Sequence, residues 1–252
     1  MTDADLATRL VRDAGALAAT MRAAGLEAEF KTSISDVVTA ADRAAEELVL
    51  AAIRAERTDD GVLGEEGAAV ESASGRRWVI DPVDGTYNFL SGLAYWCSAL
   101  ALDDADGVVL GAVHQPITGE TWLGGRDLPT TLDGVPVAPL VERPLADVSL
   151  ATYVHPTTLS EPDVAEPWHA IVGGAATVRI LGSGSCDLAG VAGGRIGVWA
   201  QHSTAEWDWL PGKALVDAAG GRTEVVEHRG HRWHVAGDRR SVGELLELLL
   251  AS

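Results

Sequence analysis

The chain has 252 residues, of which 47% are hydrophobic, and this is enough apolar material for one large domain or two small ones. Acidic residues number 37 against 19 Lys and Arg, which gives a formal net charge of -18. Such an excess argues against nucleic acid and anionic membranes as nonspecific partners, because both would be repelled. A phosphate substrate would also be repelled. An enzyme of this charge that acts on phosphate therefore needs local positive charge, such as bound divalent metal.

Cysteine usage and the N-terminus indicate a reducing compartment. Cys97 and Cys186 are too few and too far apart in the sequence for a disulfide framework, and no Cys and His residues have zinc-site spacing. Met1 to Asp5 is acidic where a signal peptide would be basic, and no stretch approaches the roughly 20 apolar residues of a membrane span. We expect a soluble, cytoplasmic protein with no nucleic-acid and no membrane partner.

Two helices are predicted at the start of the chain. Apolar residues recur at spacings of three and four over residues 3–26, with Gly25 as the stop signal, and a second helix is predicted from Thr39 to about Arg57. Residues 31–36, between them, are polar and typical of a loop. Asp42 lies three residues after Thr39, which fits a capping box with Asp in the usual Glu or Gln place and a purely structural role.

A short apolar run, Gly61 to Leu63, predicts a strand that ends beside two adjacent carboxylates, Glu65 and Glu66. A Glu pair by itself is most often part of a solvated loop.

The most informative strand is Trp78 to Ile80, a buried, β-branched run that we expect to end at Asp81 because Asp-Pro cannot continue a sheet ladder. Pro82 then stiffens a turn between Asp81 and Asp84. Such a turn can direct both carboxylates and the Val83 carbonyl into one pocket, as a hard cation requires.

If a helical turn begins at Gly85 and Thr86, its free amides point the same way and can hold phosphate oxygens. The alternative is an ordinary surface turn, since Asp and Gly are common in turns for conformational reasons.

The rest of the chain shows further strands, a seam and two helices. An Asp-rich hairpin turn at 103–106 lacks the other ligands of a calcium loop. A glycine-rich run, Arg179 to Ala189, lacks the ending of a nucleotide loop. A helix is predicted from Asp208, acting as its cap, to Gly220.

The remaining predicted segments are strands at 95–102, 107–115, 120–124 and 148–154, a seam at 125–147, an unassigned stretch at 156–170 and a helix at 244–250.

The run Asp81-Pro82-Val83-Asp84-Gly85-Thr86-Tyr87-Asn88-Phe89 resembles the signature of the inositol monophosphatase family, Mg2+-dependent and often lithium-inhibited phosphomonoesterases. Further stretches match other signatures of that family in the family's order. They are Asp36 to Asp42, Gly64-Glu65-Glu66, the Arg-x-x-Gly-Ser element at 179–183, and Trp207-Asp208 before a helix ending in Ala219-Gly220-Gly221.

The resemblance implies an α/β (α+β) fold, a layered αβαβα sandwich of the inositol monophosphatase and fructose-1,6-bisphosphatase type. It implies a single domain, 1–252, with halves at approximately 1–137 and 138–252 and the active site at the seam. The implied metal ligands are Glu65, Asp81, Val83, Asp84 and Asp208. The implied catalytic residues are Thr86, Asp42 and Glu65, and the implied phosphate or substrate contacts are Gly85, Thr86, Ser183, Gln201 and Asp208, with Asp187 as a further possibility.

The implied activity is hydrolysis of a small-molecule phosphate monoester with two or three Mg2+ ions per subunit, by a homodimer. Inositol 1-phosphate is the first expectation, although Gln201 holds the place where inositol phosphatases usually have a hydroxyl-binding Glu. Histidinol phosphate, fructose 1,6-bisphosphate and 3'-phosphoadenosine 5'-phosphate remain open as substrates. A non-catalytic regulatory or binding protein of the same fold is the alternative from another functional class.

Overall fold

The structure of the protein, a computed structural model, describes residues 1–25, 28–30 and 37–252, and the side chains of 28–30 and 37–39 lie outside this description. The predicted loop at 31–36 and the capping role of the Thr39 side chain therefore lie outside the described residues. In the described part of the chain, no helix is long and apolar enough to cross a membrane.

The described residues form seven α-helices. They are α1 Asp3–Ala24, α2 Ala40–Glu56, α3 Thr86–Leu90, α4 Pro162–Gly174, α5 Gly184–Ala192, α6 Glu206–Ala218 and α7 Arg239–Ala251. Helix α1 begins with a capping box between Thr2 and Asp5, and it ends where Gly25 adopts a φ of 96°, which glycine reaches without steric cost. The predicted first two helices are confirmed to within about two residues.

Most strands belong to two sheets, and a separate two-stranded ribbon pairs β1 Ala28–Phe30 with β2 Val37–Thr39. The first sheet contains β3 Gly61–Gly64, β4 Ala69–Val70, β5 Arg77–Asp84, β6 Cys97–Asp104, β7 Gly107–Gln115, β8 Glu120–Gly125, β9 Leu128–Leu132 and β10 Val135–Pro136. The second contains β11 Ser149–Thr152, β12 Thr177–Arg179, β13 Val198–His202, β14 Arg222–His228 and β15 His231–Gly237.

The first sheet has the order β10-β9-β8-β7-β6-β5-β3-β4, and the second has the order β12-β11-β13-β15-β14. Neighbouring strands are antiparallel except for β3 with β5 and for β11 with both β12 and β13. Each sheet is drawn from one half of the chain. The seam is shorter than the predicted 125–147, because β9 and β10 extend the first sheet to Pro136.

Helices and sheets alternate in five layers. Helices α1 and α2 cover one face of the first sheet, in a core that includes Leu10, Ile53 and Trp78. Helices α5 and α6 lie between the two sheets, where Leu188 and Leu215 pack with residues of both. Helices α4 and α7 cover the outer face of the second sheet. The predicted αβαβα sandwich is confirmed.

One stretch that the sequence left unassigned is helical, and one predicted boundary is wrong. The unassigned stretch 156–170 contains most of α4, which tolerates Pro162 in its first turn because the N–H that proline lacks has no helical partner there. The C-terminal helix begins at Arg239 rather than 244, since the Asp238 carboxylate caps it by accepting from the amides of Arg240 and Ser241.

Candidate active site

Asp81 and Asp84 lie on one strand, β5, which does not end at Asp81 as predicted. The strand continues through Pro82 to Asp84, and its pairing with β6 shifts register between Asp81 and Asp84. Proline is tolerated at this irregularity because no ladder N–H is required there. The Ser98 hydroxyl donates to the Pro82 carbonyl at 2.6 Å, which satisfies a buried acceptor at the bulge. The irregularity thus places both carboxylates at one end of the sheet.

Asp208 comes from the second half of the chain, on α6. The prediction that Asp208 caps this helix is wrong: the helix begins at Glu206, with Ala205 in the capping position. Asp208 is the third helical residue, and its carboxylate interacts with the backbone N–H of Ala205, as the acidic member of a capping box does. This leaves the side chain facing the end of β5.

Asp81, Asp84 and Asp208 form one cluster, in which a carboxylate oxygen of each lies within 4.8 Å of the others. Asp81 and Asp84 are buried, and Asp208 is half-buried. Glu65, in the turn after β3, shares a side-chain hydrogen bond with Asp81. The structure therefore brings together all four carboxylates that the family resemblance implies as metal ligands.

Burial and mutual repulsion raise the pKa values of the cluster. The pKa of Asp81 lies well above its ordinary value because of burial, then because of the charges of Glu65, Asp84 and Asp208. Burial and the charge of Asp84 raise the pKa of Asp208 to about 7. Burial also raises the pKa of Asp84, although backbone amides oppose the shift. A cation in the cluster would remove this repulsion.

The donor set fits a hard divalent cation. All the side-chain donors are carboxylate oxygens, which Mg2+ prefers. The Oδ1 atom of Asp81 is buried and has no hydrogen-bond partner in the described structure, an arrangement that is costly unless a ligand fills it.

Helix α5 holds Asp84 in place. The Gly184 N–H donates to Asp84 Oδ1 at 3.2 Å, and the Ser185 N–H donates to Asp84 Oδ2. Both amides are at the start of the helix, where the dipole favours negative charge. Ser183 caps this helix through its hydroxyl and is only 3% exposed. Its predicted contact with substrate stays a prediction, since here its hydroxyl accepts from the Cys186 N–H at 3.4 Å.

Thr86 and Asp42, two of the implied catalytic residues, lie beside each other. The Thr86 hydroxyl lies 3.3 Å from Asp42 Oδ1 and 3.0 Å from the Val83 carbonyl oxygen, so its single proton has two acceptors. Asp42 is fully buried on α2. Gly85 precedes Thr86 with a φ of 93°, and an added Cβ would lie 3.0 Å from the Gly182 carbonyl oxygen. Glycine is therefore required at Gly85 by both conformation and space.

Three residues that the sequence reasoning missed support this geometry. Asn88 donates to the carbonyls of Tyr95 at 2.8 Å and Leu181 at 2.7 Å, which joins the two halves beside the cluster. Glu46 accepts from the amides of Glu66 and Ala68, at 2.8 Å each, and so fixes the turn that carries Glu65.

The third is Tyr95, whose hydroxyl donates to the buried Asp187 carboxylate at 2.8 Å. Asp187 thus faces Tyr95, and burial raises its pKa to about 8. Asn88 lies in the Asp81 to Phe89 run that carries the family resemblance, but nothing in the sequence indicates its structural role or its partner 93 residues away.

Gln201 lies near the end of β13, seven residues before Asp208, and is half-buried. Its partner across the antiparallel pair is His234 on β15.

Comparison with known proteins gives consistent results. The sequence model of the inositol monophosphatase family matches residues 2–247. An inositol-1-monophosphatase of Rhizobium meliloti is 31% identical over 205 residues, which cover 78% of this chain and 74% of that protein. A Nus factor SuhB of Pseudomonas aeruginosa is 32% identical, and the match covers 74% of this chain and 71% of that protein. A histidinol-phosphatase of Chlorobaculum parvum is 32% identical, and the match covers 80% of this chain and 76% of that protein.

Among solved structures, an inositol monophosphatase from Anabaena (Nostoc) superposes with a TM-score of 0.84 at 25% identity. The match covers 98% of this chain and 95% of that one.

Proposed function

Because the chain belongs to the inositol monophosphatase family, we propose that it is a Mg2+-dependent hydrolase of a small phosphate monoester, with an inositol 1-phosphate-like polyol phosphate as its substrate. The observation that carries the proposal is the convergence of Asp81, Asp84 and Asp208, with the unpartnered Oδ1 of Asp81 among them. Glu65, Asp81, Asp84, Asp208 and the Val83 carbonyl would hold two or three Mg2+ ions. Bound Mg2+ would supply Lewis-acid chemistry, offsetting the charge of the phosphate and of the departing alkoxide.

In this proposal Thr86 orients the attacking water, and its hydrogen-bond geometry supports the role. Its proton is directed to Asp42 or to the Val83 carbonyl, so its oxygen lone pairs are free to accept a hydrogen bond from a water molecule. A water held this way keeps a lone pair for attack on phosphorus. The buried Asp42 fixes the Thr86 hydroxyl, and the amides of Gly85 and Thr86 would hold phosphate oxygens.

The structure of the second half supports substrate binding at the seam. Ser183 and Gln201 lie on elements that flank Asp208, and Gln201 would contact the alcohol portion of the substrate. A homodimeric state, a cytoplasmic location and inhibition by lithium are further parts of the proposal that come from the family resemblance.

A second candidate is a regulatory role without catalysis, since one relative is named a Nus factor. The carboxylate cluster favours the enzyme, because a purely regulatory protein has no need for an unpartnered buried carboxylate oxygen.

A panel of phosphate monoesters assayed with Mg2+ tests the proposal. The panel contains inositol 1-phosphate, histidinol phosphate, fructose 1,6-bisphosphate and 3'-phosphoadenosine 5'-phosphate. We expect Mg2+-dependent phosphate release, fastest from inositol 1-phosphate. Preference for another member would correct the substrate, and no release from any member would favour the regulatory role.

A further inference from the structure

The buried side-chain atoms that lack hydrogen-bond partners fall into two groups in the described part of the chain. One group consists of the indole N–H groups of Trp96, Trp122, Trp199 and Trp233. The other consists of Asp81 Oδ1, Ser185 Oγ, Thr204 Oγ1 and His234 Nδ1. Asp81 and Ser185 belong to the carboxylate cluster and its helix. His234 is only 3% exposed and has no part in the chemistry described so far.

His234 lies beside Gln201. The two residues are directly opposite in the antiparallel pair of β13 and β15, so their side chains share one face with Cβ atoms about 4.5–5.5 Å apart. That face meets α5 and α6, because Trp199, two residues before Gln201, belongs to the core between the sheets. In the described structure the His234 ring has a hydrogen bond with the Arg232 backbone, its Nδ1 has no partner, and no hydrogen bond of the Gln201 side chain is found.

Aromatic contacts connect His234 to the carboxylate cluster. The His234 ring packs edge-on against Trp209, with centroids 5.1 Å apart, and Trp209 stacks on Trp199 at 5.7 Å. A Cβ added at Gly184 would lie 3.9 Å from both Trp199 Cζ2 and Asp208 Cβ. Trp199, Trp209 and His234 therefore form a row of contacting aromatic rings. The row begins at the start of α5, which holds Asp84, and ends at His234, which lies beside Gln201.

The chemistry of the pair is neutral. Burial lowers the pKa of His234 to about 4, so near pH 7 its ring has one N–H donor and one acceptor nitrogen. The Gln201 carboxamide also has a donor and an acceptor and no charge. Such a pair matches hydroxyl groups, and it provides no counter-charge for an ammonium group.

We propose that His234 is a positioning residue: its buried imidazole orients the Gln201 carboxamide toward the hydroxyl groups of a neutral polyol, and so it selects the alcohol portion of the substrate. This inference rests on the phosphatase function proposed above. It predicts discrimination against phosphate esters of amino alcohols, such as histidinol phosphate, at the level of binding.

His234→Leu tests the proposal with two substrates in Mg2+. Inositol 1-phosphate has the hydroxyl groups, and p-nitrophenyl phosphate lacks them. We expect KM for inositol 1-phosphate to rise about 5- to 10-fold, the loss of roughly one hydrogen bond, while kcat and the constants for p-nitrophenyl phosphate stay within about twofold. The melting temperature should change little, because the loss of the imidazole hydrogen bond with the Arg232 backbone is offset by removal of the unpartnered buried Nδ1.

His234→Asn, which keeps a polar atom near Nδ1, should recover part of the lost affinity. His114→Leu is the matched control, since His114 is a partly buried histidine on the first sheet, where its Nδ1 contacts Thr121. His114→Leu should leave the ratio of the KM values for the two substrates unchanged. Equal losses on both substrates in His234→Leu would assign His234 to the scaffold, and no change on either would overturn the proposal.

Binding with turnover suppressed separates this inference from the proposed function. In a Thr86→Ala protein with Mg2+, inositol 1-phosphate should raise the melting temperature by more than inorganic phosphate does, and adding His234→Leu should remove the difference. If the wild type hydrolyses neither substrate, the proposed function fails and this comparison still decides the role of His234. No extra stabilisation of the Thr86→Ala protein by inositol 1-phosphate would contradict the role proposed for His234.

Discussion

Asp208→Asn separates the structural role of Asp208 from its role in the carboxylate cluster. In metal-free protein, Asn keeps an oxygen that can accept from the Ala205 N–H, so the helix start should lose little stability. The substitution also removes one negative charge from the cluster formed with Asp81 and Asp84. We therefore expect the metal-free variant to be more stable than the wild type at neutral and higher pH.

The magnitude follows from the pKa of Asp208. A carboxyl whose pKa rises from 3.8 to about 7 on folding destabilises the ionised protein by at most about 4 kcal/mol. Because the coupled carboxylates can share protons, we expect about half of this, roughly 2 kcal/mol. For a chain of this size, 2 kcal/mol corresponds to about 4–8 °C in melting temperature.

The direction of the pKa shift determines how the stability difference between the variant and the wild type depends on pH. Because the pKa of Asp208 is raised in the folded state, its contribution to the stability of the wild type is fully present below the ordinary pKa of 3.8. That contribution is lost as the pH rises to about 7. The gain in stability of Asp208→Asn over the wild type should thus be small near pH 4, increase up to about pH 7 and then level off.

Calorimetric melting from pH 4 to 8 in chelator measures this advantage, with Asp217→Asn as control, because Asp217 lies on the same helix but pairs with Lys213 at the surface. With Mg2+, the wild type should gain more stability than Asp208→Asn, which should also lose nearly all phosphatase activity. A variant that is less stable than the wild type at pH 8 without metal, or an advantage that does not vary with pH, would refute the reasoning.

Three further predictions test other parts of the site. Thr86→Ala should lower kcat by roughly 10² or more with a smaller change in KM, while Thr86→Ser should retain much of the activity; an unchanged kcat would make Thr86 a turn residue only. Asn88→Ala should lower the free energy of unfolding by roughly 1–3 kcal/mol in urea titrations, because the Tyr95 and Leu181 carbonyls lose their donor; no loss would mean that the link between the halves is weak. Lithium at millimolar concentration should inhibit phosphate release, and undiminished rates across a lithium titration would count against the family-derived expectation.

The helical period of α1 and the apolar run before Glu65 were sufficient to predict those elements, since each depends on neighbours in the sequence. The assignment of Glu65 and Asp208 to one metal site came from the family resemblance, because by local pattern alone the Glu65-Glu66 pair indicates a solvated loop and Asp208 a helix cap. The course of β5 was not predictable, because the tolerance of Pro82 depends on the register of β6 and on Ser98, which lie across the sheet. A local rule therefore failed where tertiary pairing decides the outcome.

The start of α6 shows the same limit. Asp208 is a good capping residue by propensity, yet the helix begins two residues earlier, at Glu206. The contacts that hold the site together are even less visible in sequence, since Asn88 bonds to Leu181 and Asp84 to the start of α5, about 100 residues away. Such pairs join the two halves, and only the folded chain brings them together.

The most direct test of the account is phosphate release from p-nitrophenyl phosphate by chelator-treated protein during titration with Mg2+. This substrate removes any dependence on the identity of the alcohol. We predict no turnover in chelator and a saturable rise in rate with Mg2+. We also predict that Asp81→Asn, which alters the carboxylate whose Oδ1 has no partner, shows little rise at the same concentrations. Full turnover in excess chelator, or an Asp81→Asn variant with the wild-type response, would contradict the claim that these carboxylates hold a catalytic metal.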